Sequence, residues 1–175
     1  MLKKRLAPNL LLVLLLCASL LFWACGYQLE GGGYLNRDVK AIGIKIVKNT
    51  SSESGAEVIF TNALINEILQ NTDTKLMEFS LAPVILELKI KSIRFGSLTR
   101  TDQTSVNERR VSAVVDAVML NREGKELWAA RDFSMNESYL VSSDIAVEDE
   151  NKRTALETIA ERTAESLISR MLSDF

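Results

Sequence analysis

Apolar and polar positions change period several times along the chain, and each change marks an element. From Val39 to Val47 the residues alternate, with Ile42, Ile44 and Ile46 on one side and Val39, Ala41, Gly43, Lys45 and Val47 on the other. That period of two is a first strand. A polar turn, Asn49 to Gly55, leads into Ala56–Gln70, where Ile59, Phe60, Ala63, Leu64 and Leu69 recur at helical spacing with Glu57, Asn66 and Glu67 among them. A short apolar piece, Leu76 to Phe79, follows as a further short strand. Next comes a long run in which Val84, Leu86, Leu88 and Ile90 share one face and Glu87, Lys89 and Lys91 the other. The parity slips afterwards, because Ile93 and Phe95 have the opposite register from Ile90; a bulge near Lys91 and Ser92 repairs it.

Gly96 to Asn107 is polar and reads as a hairpin loop. The strand beyond it, Arg109 to Leu120, has Val111, Ala113, Val115, Ala117 and Met119 on one face but Val114, Val118 and Leu120 on the other. Both faces are partly apolar, so both expect cover. Asn121 to Gly124 is a tight turn, with Gly124 suited to a positive φ. A last strand, Glu126 to about Tyr139, places Leu127, Ala129, Phe133, Met135 and Tyr139 in alternation. The closing helix, Val147–Leu172, carries the stripe Leu156, Ala160, Thr163, Leu167 and Met171. Asp144, Glu148, Asp149 and Glu150 gather at its start, where negative charge complements the helix dipole without any need for a metal. The expected fold class is α+β, with two helices packed on one face of a mixed sheet of about four strands.

The first two dozen residues obey none of these periods. Lys3, Lys4 and Arg5 precede an uncharged run from Leu10 to Ala24, shorter than the 20 or so apolar residues a membrane span requires. This is the pattern of a cleaved signal peptide. Its end, Ala24 before Cys25, has the small-residue–cysteine order of a lipoprotein signal, whereas Phe22 and Trp23 do not suit ordinary signal cleavage at this point. The expected organisation is a lipoprotein signal peptide over 1–24, a lipidated N-terminus and flexible linker over 25–38 with Gly31, Gly32 and Gly33, and a single α+β domain over 39–175. Cys25 would carry a covalent N-acyl diacylglycerol with a chain such as palmitate, and several acyl chains together give durable anchoring. Signal removal also discards Cys17, so no disulfide can form within the mature chain. With Gly26 and Tyr27 after Cys25, and no Asp at the second position to mark inner-membrane retention, the expected location is the outer membrane, facing the periplasm.

Chemistry narrows the function classes further. The sequence contains no histidine, which removes imidazole-based triads and histidine metal sites, and it shows neither a nucleophile elbow nor a phosphate-binding glycine loop. No enzyme is expected, although a carboxylate-only hydrolase leaves no motif by which sequence alone excludes it. Loss of Lys3, Lys4 and Arg5 takes the formal charge from −2 to −5, against a nucleic-acid partner. Any anionic ligand must meet a local basic cluster. One such cluster surrounds the predicted hairpin: Lys89, Lys91, Arg94, Arg100, Arg109 and Arg110.

Several segments in matching order resemble the LPS-assembly lipoprotein family, LptE. They are Cys25-Gly26-Tyr27-Gln28-Leu29, Val39-Lys40-Ala41-Ile42 through Ile44 to Lys48-Asn49-Thr50, Gly55-Ala56-Glu57 with Thr61-Asn62-Ala63-Leu64, Gly124-Lys125-Glu126-Leu127-Trp128, and the acid-led C-terminal helix. The chain departs from the family at Asn36 and Lys45, where proline is frequent, and at Val47, where an aromatic residue is. The resemblance implies a non-enzymatic helix-on-sheet domain that assists assembly of, and plugs, the large outer-membrane barrel LptD and helps deliver lipopolysaccharide. On that view the six basic residues would meet lipid A phosphates, for which guanidinium and ammonium groups are suited. The alternative is a lipoprotein adaptor or scaffold that binds a soluble or peptidoglycan-linked partner and no lipopolysaccharide.

Overall fold

The computed structural model describes residues 32–36, 39–98 and 108–173. The signal segment, Cys25 and Arg100 lie outside the described residues. The elements run β1 (Ala41–Ile44), β2 (Lys48–Asn49), α1 (Ala56–Asn71), β3 (Lys75–Met77), β4 (Val84–Leu98), β5 (Glu108–Asn121), β6 (Glu126–Leu140) and α2 (Ile145–Ser173). One mixed sheet has the order β3-β1-β4-β5-β6, with β2 paired to β4. Pairing is parallel among β1, β3 and β4, and between β2 and β4; it is antiparallel across β4, β5 and β6.

The sheet has six strands where about four were expected. The first expected strand is interrupted: β1 pairs with both β3 and β4, and β2 rejoins β4 only at Lys48↔Lys89. Between them Val47 turns into the core and its N–H donates to the Thr61 hydroxyl on α1 (3.1 Å). The short piece after α1 is a true strand, β3, held by parallel pairing to β1.

Both helices cover the same face. Phe60, Leu64 and Ile68 of α1, with Leu156, Ile159, Leu167 and Ile168 of α2, close over Leu86, Ile90, Val111, Val115 and Met119. Leu35 is fully buried in this core, and its N–H donates to the buried Thr74 hydroxyl (2.9 Å), so packing starts ahead of Val39. Burial of this kind stabilises each large side chain by roughly 1.5–3 kcal/mol.

The helix ends are built differently. Gly55 precedes α1 at φ 86, and Asn49 donates from its side-chain amide to Glu57 Oε2 (2.9 Å) and to the Glu53 carbonyl (2.7 Å). At α2, Asp144 accepts from the Ala146 N–H (2.9 Å), while Glu148 reaches back to accept from the Ser142 N–H (2.8 Å). The Ala146 N–H is one of the donors that a helix start leaves open, and these bonds give Asp144 and Glu148 of the acidic cluster a structural role.

The expected bulge is present: the β4–β5 register shifts between Ile90 and Ser92, and Thr50 donates from both N–H (2.9 Å) and hydroxyl (2.7 Å) to the Ile90 carbonyl. Two further irregularities, both in the β5–β6 pairing, were not anticipated: one lies between Met119 and Leu120, the other between Val115 and Ala117. In β6, Val115↔Phe133 is followed by Ala117↔Ala130, so Arg131 and Asp132 together face Asp116, with Asp132 at φ 53. The alternation assigned to β6 is corrected accordingly: Trp128 and Ala130 share the inner side with Phe133, Met135 and Tyr139, and Ala129 faces out, because the bulge reverses the parity.

Candidate functional site: the outer face of the sheet

The sheet face opposite the helices is divided by charge. Register and burial place Ile85, Val118, Leu120 and Ala129 on it as a half-buried apolar area toward the start of β4, with Glu87, paired to Lys45, beside Val118. Toward the end of β4 and the start of β5 the same face carries Arg94 and Arg110 with Val114, Ser112, Ser134, Asn136 and Ser138, while Lys89 stands opposite Asp116 between the two areas. A belt of charge separates the two areas: the ammonium of Lys91 bridges the carboxylates of Asp132 and Asp116 (3.7 Å to the latter), and Asp116 also accepts from the Asp132 N–H (2.7 Å). The hydrogen bond to Asp132 first, and the Asp116 charge after it, hold the Lys91 ammonium above its ordinary pKa. The bulge of β4 at Lys91 and that of β6 at Arg131 and Asp132 meet at this belt.

The structure sorts the six sequence-derived basic residues. Lys89, Arg94 and Arg110 are exposed on the outer face and form no ion pair with a described residue. Lys91 lies on that face but is committed to the belt. Arg109 belongs to the opposite register and pairs with Glu148 at the start of α2 (3.4 Å). Sequence reasoning missed Lys48, which β2 sets directly beside Lys89 in parallel pairing. Two like charges across a strand pair repel, and an anion between them relieves that repulsion. The signal for Lys48 was its place in Lys48-Asn49-Thr50, whose other two members tie α1 and the β4 bulge to this strand.

The helix layer offers a contrasting surface. A groove of about 390 Å³ between α1 and α2 is walled by Glu67, Glu157, Glu161 and Glu165 over Ile59 and Ala63. Its charge disfavours a phosphate ligand, which leaves the sheet face as the anion-compatible side. Among the described residues no group of three or more acids, cysteines or histidines is arranged to hold a metal, and no helix is long and apolar enough to cross a membrane.

Two helices on one face of a mixed sheet define a fold that recurs in small bacterial lipoproteins. Lipoprotein B of Nitrosomonas europaea superposes with TM-score 0.58 at 12% identity, covering 85% of this chain and 92% of that one. A lipoprotein of Caulobacter crescentus gives 0.52 at 12% identity over 73% and 88%, and a neuraminyllactose-binding hemagglutinin homologue of Helicobacter pylori gives 0.53 at 7% over 82% and 88%. Identities this low establish the fold alone. No curated protein matches by sequence. The model of LptE, the lipopolysaccharide-assembly family, matches residues 39–171, and the chain belongs to that family. Membership implies a part in lipopolysaccharide assembly as a non-enzymatic lipoprotein.

Proposed function

We propose that the chain is an outer-membrane lipoprotein, lipidated on Cys25 and facing the periplasm, that assists assembly of and plugs the large translocon barrel LptD and helps deliver lipopolysaccharide through it. The observation that carries this reading is the outer sheet face, which no helix among the described residues covers and which combines an apolar area with cations that form no ion pair with a described residue. An apolar sheet face calls for a packing partner, and a barrel wall is one of suitable extent. Lys48, Lys89, Arg94 and Arg110 are the candidates for lipid A phosphates, with Arg100 a further candidate from sequence. The signal pattern before Cys25 and membership of a lipoprotein family support the anchor.

The test is lipopolysaccharide binding by the mature protein after Lys48→Glu, Lys89→Glu, Arg94→Glu and Arg110→Glu together. Binding is expected to fall markedly, and wild-type binding to weaken with added salt, because exposed charges are screened over roughly 8–10 Å at moderate ionic strength. Unchanged binding in the quadruple variant rejects this face as the ligand site. Arg109→Glu serves as a control on the other face and should leave binding unaltered.

A further inference from the structure

The apolar end of the outer face continues into a loop whose side chains point to solvent. Met77, Phe79 and Leu81 are 43%, 45% and 59% exposed, yet the backbone between them is firmly held. Phe79 crosses directly over Gly43, where an added Cβ would stand 2.4 Å from the Phe79 Cα and 2.9 Å from the Ala82 Cβ. The N–H groups of Leu81 and Ala82 both donate to the Glu78 carbonyl (3.0 Å each). Arg122, from the β5–β6 turn, donates to the carbonyls of Leu81 and Ala82. Ala82 is buried, and Pro83 fixes the entry to β4. A loop this constrained cannot fold its apolar side chains back onto the domain.

The position of the loop supplies the occupant. The first described residues are clamped at the same end of the sheet: the Asp73 N–H donates to the Gly33 carbonyl (3.0 Å), next to the Leu35–Thr74 bond, and only four residues lie between Thr74 and Phe79. Seven peptide steps join Gly32 to Cys25, a contour of at most about 25 Å. A lipid on Cys25 therefore keeps this end of the domain beside the leaflet. Tyr34, 41% exposed, adds an amphipathic ring of the type that settles at headgroup level. Nearby charges are balanced, Glu78 and Glu123 against Arg122 and Lys125, so the attraction is apolar and needs no anionic lipid.

We propose that Phe79 and Leu81 form a membrane-docking tip that seats in the interfacial region of the leaflet holding the Cys25 lipid, adding to the acyl anchor an apolar contact that orients the domain against the leaflet. The inference rests on lipidation of Cys25 and does not depend on the barrel. To test it, Phe79→Trp and Leu81→Trp are made separately in the full lipidated chain and placed in vesicles of phosphatidylethanolamine and phosphatidylglycerol with brominated acyl chains. Trp128 is the sole tryptophan beyond Cys25 and gives the wild-type baseline. At 79 and 81 the added emission should shift to the blue and lose most of its intensity to bromine. Ile145→Trp, at the opposite end of β6 and 79% exposed in the wild type, should lose none. Three results overturn the proposal: no quenching at 79 and 81 with the Cys25 lipid confirmed by mass; equal quenching at 145; or a blue shift at 79 and 81 only when purified barrel is added, which assigns the tip to protein. Absence of the lipid from Cys25 instead removes the lipidation reading itself, and the tip falls with it.

Discussion

Lys91 shows how a charge that is a ligand candidate in the sequence can be consumed by the fold. Its ammonium holds Asp116 and Asp132 together where two bulges meet, so Lys91→Ala should loosen the middle of the sheet, seen as faster amide exchange at β5 and β6, while leaving anion binding to Lys48, Lys89, Arg94 and Arg110. The pKa of Lys91 is raised in the folded state, so its contribution is fully present below 10.5 and is lost only as pH rises through the folded value. Glu57 behaves in the opposite sense. The Asn49 hydrogen bond, first among its causes, lowers its pKa from 4.5; its stabilisation is therefore present above 4.5 and lost as pH falls through the folded value. Glu57→Gln should flatten the acid side of the stability–pH curve measured by chemical denaturation. Thr163 makes a different point. Its hydroxyl is buried in the α2 stripe without a hydrogen-bond partner, so Thr163→Val should be neutral or stabilise the domain by up to about 1 kcal/mol, measured as a rise in denaturation midpoint at constant slope. The sequence placed Thr163 on the apolar stripe; the lack of a partner depends on the packed neighbours and was not legible.

At the scale of elements, the β4 bulge was readable because Ile90 and Ile93 break parity within one strand. The β6 bulge was not. Trp128, Ala129 and Ala130 are all tolerable on either face, so nothing in β6 alone reveals where the phase reverses. The cause lies across the sheet, in Asp116, which accepts from the Asp132 N–H and so helps to hold Asp132 at φ 53. Asp132→Asn keeps a residue that tolerates this conformation, whereas Asp132→Val places a β-branched side chain in it, at a cost of about 1–3 kcal/mol. Comparing the two by denaturation separates backbone strain from the lost ion pair: the account expects Val to be the more damaging. The interrupted first strand has a similar origin, since Val47 leaves the ladder to meet Thr61 of a helix that comes later in the chain.

At the scale of the molecule, the layering was legible from periodicity, and β5 declared that both sheet faces are partly apolar. Periodicity does not say which face the helices take; the continuous set Val111 to Met119 wins because it aligns with Leu86, Leu88 and Ile90 on β4 and leaves Asp116 outside. Removing a central member, as in Leu86→Ala, should cost about 2–5 kcal/mol by denaturation. The basic cluster was legible as a list of residues but not as a surface: strand register sends Arg109 to the other side, engages Lys91 and brings in Lys48 from β2. The central claim concerns the partner of the uncovered face, and it is tested most directly by affinity isolation of the lipidated chain from detergent-solubilised envelopes, with the wild type beside the Lys48→Glu, Lys89→Glu, Arg94→Glu, Arg110→Glu variant. The account predicts a very large β-barrel recovered in equimolar amount with both proteins, because the apolar area and the lipid are unchanged by the charge reversals; recovery of soluble periplasmic proteins without any barrel would contradict it.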